Sequence, residues 1–156
     1  MKNSLFRKIW NLWPPFLGAG IHVKKIAQDF TSMDVEMKLR PWNKSPNNAH
    51  YGGSIFSMTD PFFAMILIKN LGPDYIVWDK AAAIRFKKPG KGKLTAHFTI
   101  ARQRIDEIRK QADMQDKAEP QFRIDIRDEA GNVVAEVDKT LYIRRRDKAR
   151  HNKPKP

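Results

Sequence analysis

Residues 47–66 read NNAHYGGSIFSMTDPFFAMI, an apolar run that starts from the pair Gly52-Gly53 and contains a single acid, Asp60. A helix opened by two glycines offers backbone N–H groups without intrahelical acceptors, and the missing side chains allow a ligand to come close. Such a terminus can hold a developing oxyanion, while a carboxylate such as Asp60 can activate water or attack a carbonyl. Two plainer readings stand beside this one. The glycines can form a tight turn, and Asp60-Pro61 can serve as an N-cap and first-turn pair that restarts the helix after a kink. Asp60 lies seven residues after Gly53, about 10 Å along a helix axis at ~1.5 Å per residue. A base must come within roughly 3 Å of its target, so one helix does not easily offer both its N-terminus and its own Asp60 to one substrate. Facing helices in two subunits would.

Other residues could contribute chemistry. Ser54 directly follows the glycines and can donate a hydrogen bond, either to a ligand or locally at the helix start. His50 is the histidine next to the motif and reads as a surface-loop residue or a site residue; His22 and His97 read as packing or surface positions in strands. Asp79 and Lys80 are charges within the apolar segment VWDKAAAIRF. Asp79 can orient a water or pair with Lys80 or Arg85. The turn PGKGK, residues 89–93, lacks the spacing of a phosphate loop and joins two strands. It reads as an exposed hairpin, or as a place where Lys87, Lys88, Lys91 and Lys93 attract phosphates as point charges. With no cysteine and no HExxH, no metal site is expected.

The elements that must position these groups follow from periodicity. A short amphipathic helix is expected over 4–13, stopped by Pro14-Pro15. It caps the core or acts as a lid or membrane-surface contact. Strands are expected over 21–27, 33–39, 75–87, 94–101, 122–127 and 133–143, with a short surface helix within 102–118. A long central helix, about 53–70, is apolar on nearly every side and so expected to be buried all round. Strands on both sides of one buried helix indicate α+β, an antiparallel sheet of about six strands around that helix, in a single domain over 1–145.

The chain has 156 residues, no segment apolar enough to span a bilayer and no convincing signal peptide, so a cytoplasmic protein is expected. Its net charge is +13, and residues 144–156 contain seven Lys or Arg against one Asp, so basicity extends beyond the tail. That charge favours anionic partners. No recognition helix points to specific nucleic-acid binding, and residues 146–156 read as a disordered basic tail.

This order of elements resembles the hot-dog fold of acyl-CoA thioesterases. More closely, WPPFLGAGI, HYGGSIFSMTDPF, YIVWDKAAAIRFKKPGKG and KTLYIRR are similar to a small bacterial family of uncharacterised hot-dog proteins related to phenylacetate-pathway thioesterases. In the relatives a His-Gly-Gly motif opens the helix and an acid lies nine residues after the histidine. Here Tyr51 takes the histidine's place, Gly52-Gly53 match and Asp60 falls at the acid's position. Ser45 stands where relatives often carry asparagine. The resemblance implies acyl-CoA hydrolysis in a homodimer or a homotetramer, with coenzyme A present only as part of the substrate and no cofactor. It places Gly52, Gly53, Ser54, Asp60 and Asp79 at the chemistry. Tyr51, His50, Phe56, Phe62, Phe63, Lys87, Lys88 and Lys91 would bind substrate, the phenylalanines lining an acyl tunnel. Departures at Tyr51 and Ser45 leave a second expectation open, an acyl-binding protein that keeps the fold without turnover.

Overall fold

The computed structural model describes residues 3–146. Helix α1 (Asn3–Asn11) is followed by α2 (Pro14–Ala19), β1 (Ile21–Ile26) and β2 (Ser32–Lys38). Helices α3 (Gly52–Ser57) and α4 (Phe62–Leu71) lead into β3 (Tyr75–Phe86), β4 (Lys93–Thr99), α5 (Arg102–Met114), β5 (Gln121–Arg127) and β6 (Val133–Arg145). The six strands form one sheet in the order β1-β2-β4-β5-β6-β3, every pairing antiparallel. This is the α+β hot-dog architecture expected from the sequence.

Two expected boundaries change. Pro14 and Pro15 do end α1, but they also occupy the first turn of α2, where a missing N–H costs nothing and the fixed φ suits a helix. The expected single helix over 53–70 is two helices, broken at residues 58–61. Met58 closes α3 in an αR conformation and Pro61 precedes α4, because a proline removes the donor a continuous helix needs there and clashes with the preceding turn.

The apolar character of α4 is explained by its place. Phe62, Phe63, Ala64, Met65, Ile66 and Leu67 are all buried against the inner face of the sheet. Phe62 packs between Phe16 and Phe98, and Phe63 against Phe98 and, in a stacked pair, Phe122. Helix α5 lays Ile105, Ile108 and Ala112 on this core. From it Arg109 donates to the carbonyls of Asn70 (2.6 Å) and Leu71 (3.1 Å), placing a cation at the negative end of α4. Asn11 fixes α1 to β1 by accepting from the Val23 N–H (2.7 Å) and donating to its carbonyl (3.2 Å). Arg146 donates to the carbonyl of Pro73 and its N–H to that of Asp74, so the described chain is held to its last residue. The basic tail was expected over 146–156; beyond Arg146, its residues 147–156 lie outside the described residues.

Candidate active site

The break between α3 and α4 positions Asp60. Thr59 donates from its hydroxyl to the Phe56 carbonyl (2.7 Å), and the Asp60 N–H reaches the Ser57 carbonyl (3.2 Å). Pro61 occupies the N-cap of α4 without a side-chain hydrogen bond, so the capping role open to Asp60 from sequence is not the one it takes. Its carboxylate instead meets the ammonium of Lys139 on β6, with Oδ1 at 3.3 Å from Nζ.

Lys139 is the residue that sequence reasoning missed. It is only 2% exposed, donates to the Thr59 carbonyl at 3.3 Å and lies 3.1 Å from Asp79 Oδ1. A buried ammonium between two carboxylates is costly to desolvate and a poor device for stability alone. Such clusters are more often found where charge has a task. A signal for it exists in β6, where Val137, Leu141 and Ile143 occupy the inward phase and Lys139 interrupts them.

Asp79 reaches this cluster from β3, opposite Leu141, next to the bulge between Asp79 and Ala81. Its partner is therefore neither Lys80 nor Arg85, the two expected from sequence. Lys80 pairs with Glu119 (2.8 Å), and Arg85 with Asp138 (2.7 Å) and Glu136 (3.4 Å), all toward solvent. Asp79 Oδ1 approaches Lys139 as an ion pair without hydrogen-bond alignment. Burial pushes the Asp79 carboxyl above its ordinary pKa; Lys139 opposes that shift and the charge of Asp60 adds to it.

The glycines stand at the other end of this segment. Tyr51 is the N-cap of α3 and provides no side-chain hydrogen bond, so the first-turn N–H groups of Gly52, Gly53 and Ser54 lack intrahelical acceptors. A Cβ on Gly52 would meet Phe86 Cζ at 3.1 Å, and one on Gly53 would meet Tyr51 Cε1 at 2.4 Å. Aromatic rings packed close to both positions, rather than a positive φ, leave little room for a side chain at either glycine. Gly53, Ser54 and Tyr51 line one groove with Pro14, Trp42 and Lys44. Asp60 is not part of it: the single chain does not bring the two halves of the motif together.

The remaining expected site residues fall into three groups. Phe62 and Phe63 are buried in the core and do not line an open tunnel, whereas Phe56 is 37% exposed and Tyr51 64%. Lys87 is held by Glu136 (3.1 Å) and Lys88 by Asp128 (2.5 Å); the Lys88 ammonium pulls the Asp128 carboxyl down to about 2. Lys91 is the one of the three without a carboxylate partner among the described residues. His50 is not a surface residue: it is 5% exposed, its N–H donates to the Gly90 carbonyl and its Nε2 lies 2.8 Å from the Gly92 carbonyl. It ties the PGKGK turn to the start of α3.

That contact makes a pH dependence. Burial holds the His50 imidazole below its ordinary pKa, the Gly92 carbonyl working against the shift. The unfolded chain therefore takes up a proton first, near the ordinary value of about 6.5. Its contribution to stability is complete above that pH and is lost as pH falls below it. Denaturant titrations at pH 7.5 and 5.5 are expected to show a smaller loss on acidification for His50→Gln than for the wild type.

The family model described as a domain of unknown function, DUF4442, matches residues 2–143. No curated protein is significantly similar. Among solved structures, a Pseudomonas aeruginosa protein of unknown function described as a probable thioesterase superposes with TM-score 0.82 at 20% identity, over 93% of this chain and 97% of that one. A Haemophilus influenzae thioesterase gives 0.68 at 15%, over 93% and 92% of the two chains. The E. coli PaaI protein from the phenylacetic acid degradation operon gives 0.63 at 18%, over 89% and 90%. These likenesses establish the shared fold.

Proposed function

The chain belongs to the DUF4442 family, and from that premise we propose that it hydrolyses an acyl-CoA thioester at a site built by two copies of itself. The observation that carries the reading is the Asp60 carboxylate, held at a helix break by an ammonium that is itself buried. In this reading Asp60 activates a water or attacks the thioester carbonyl, and Lys139 keeps the carboxylate aimed. N–H groups at the start of α3, from Gly53 and its neighbours, receive the oxyanion, while Phe56 and Tyr51 contact the acyl part. Coenzyme A enters only as part of the substrate, and Lys91 is available to its phosphates.

Edge geometry supports the two-copy arrangement. β3 is the terminal strand of the sheet, 12 residues long, and its other side has no strand partner among the described residues. Its middle, Ala81 to Ala83, is exposed, as are Trp78 and Phe86. A long, exposed edge of this kind is a template for pairing. Antiparallel pairing of two β3 strands about Ala82 and Ala83 sets Asp79 of one copy opposite Phe86 of the other. Gly52 packs on Phe86, so the second copy's helix start arrives at the first copy's Asp60 and Asp79.

A thiol-release assay across short, long and aromatic acyl-CoAs tests the reading, run beside a mass measurement. The wild type is expected to turn over substrate and to have about twice the 18.1 kDa mass of one chain. Ala83→Asp, at an exposed position of the single chain, brings carboxylates to the paired edge. It should shift the mass toward one chain and lower hydrolysis at least about tenfold. The ring of Tyr51 against Gly53 favours a second reading, an acyl-binding protein without turnover. Tight acyl-CoA binding with no thiol release over the whole panel would select it.

A further inference from the structure

The first two helices build a face that is apolar, cationic and uncovered. Leu5 and Ile9 on α1 and Leu12 in the turn that follows recur at i, i+4 and i+7, roughly 110° around the helix from Phe6 and Trp10, which pack inward. They are 51%, 52% and 69% exposed, and Leu17 and Trp42 nearby are 52% and 70% exposed. Arg7, Lys8, Leu12, His22 and Lys24 line one groove; Leu17, His22, Lys38, Arg40 and Trp42 line the next. Trp42 and Lys44 then lead into the groove that contains Tyr51 and Gly53.

Charge is matched to this surface. Residues 3–28 contain Arg7, Lys8, Lys24 and Lys25 and no acid. The acid of the strip, Glu36, is already engaged by Lys24 (3.5 Å) and Lys38 (3.7 Å). Lys8, Arg40 and Lys44 have no carboxylate partner among the described residues. Apolar patches of this extent on a soluble chain mark an interaction surface. Long aliphatic and tryptophan side chains interleaved with cations suit an anionic lipid headgroup layer over hydrocarbon. No helix among the described residues is long and apolar enough to cross a membrane, so contact would be at its surface.

We propose that the α1–α2 face with Trp42 docks on an anionic lipid bilayer, and that docking sets the groove leading to Gly53 against the membrane. Bilayer binding does not depend on the thioesterase reading. It adds to that reading a source for long-chain acyl-CoA, an amphiphile that partitions into bilayers.

The full chain is sedimented with vesicles of phosphatidylcholine alone or mixed with phosphatidylglycerol, in about 0.1 M salt. Binding is expected to the mixed vesicles, to be weak for phosphatidylcholine, and to fall at least about tenfold in the double variant Leu12→Ser, Trp42→Ser. The full chain also includes the basic residues 147–156, and the double variant leaves these intact. Wild-type tryptophan fluorescence should in addition be quenched by lipids brominated on the acyl chains, a reading that needs no variant. Three results would overturn the proposal: no binding to mixed vesicles; binding unchanged in the folded double variant, which would mean charge alone; or absence of quenching with this face covered by a second copy of the chain. Vesicle binding without acyl-CoA hydrolysis would retain the docking face and discard the enzymatic reading.

Discussion

Asp60→Asn is expected to lower kcat for acyl-CoA hydrolysis by about 10³-fold, with KM changed little. Asparagine keeps the shape of the side chain and its reach to Lys139, but it is neither a base nor a nucleophile. The Asp60 side chain is 68% exposed, so its replacement costs the fold little and the loss reads on chemistry. A variant that retained wild-type kcat would remove Asp60 from the mechanism, whatever became of the fold.

Lys139→Met is expected to be the most damaging single change for the fold among those tied to the site. The methionine fills the space of the lysine stem, but Asp79 loses the ammonium that opposes its burial. Removing one member of a buried ion pair costs about 3–5 kcal/mol, most of it the uncompensated partner. Hydrolysis should also fall by about 10²-fold, because Asp60 loses the contact that orients it. These effects separate in the double variant Lys139→Met, Asp79→Asn. With the second carboxylate neutralised, denaturant stability should return to within about 1 kcal/mol of wild type, while activity stays low. Recovery of both together would mean that Lys139 serves the fold and not the reaction.

Much of the architecture was legible in the chain. Alternation in β2, β4 and β6 and the all-round apolar run at 62–67 arise from the local burial of single elements, which sequence periodicity reports directly. The break at residues 58–61 was signalled by Pro61, yet only the structure shows that it turns Asp60 toward β6. Lys139 went unread because β6 looked like a clean alternation, and a lysine in the inward phase makes sense only once Asp60 and Asp79 are seen across from it. Those partners lie 79 and 60 positions away in the chain. For the same reason the sequence offers Asp79 a water, Lys80 or Arg85 to act on, and not Lys139. A strand bulge and the register of β3 on β6 decide that contact, and neither is a local property. Phe62 and Phe63 show the opposite failure: aromatic residues beside a candidate acid suggested a tunnel, but their neighbours across the sheet, Phe98 and Phe122, make them core.

Gly52 and Gly53 stand apart from Asp60 within one chain, and the proposed two-copy site would bring them together across the β3 edge. Subunit complementation tests this most directly. Asp60→Asn leaves the glycines intact, and Gly53→Val leaves Asp60 intact while its side chain collides with the Tyr51 ring. Each homodimer is expected to be inactive. After co-expression or subunit exchange, mixed dimers have one site with both an intact Asp60 and an intact Gly53, so hydrolysis should return to about a quarter of the wild-type rate. A mixture that exchanges subunits and stays as inactive as its two components would contradict the shared site.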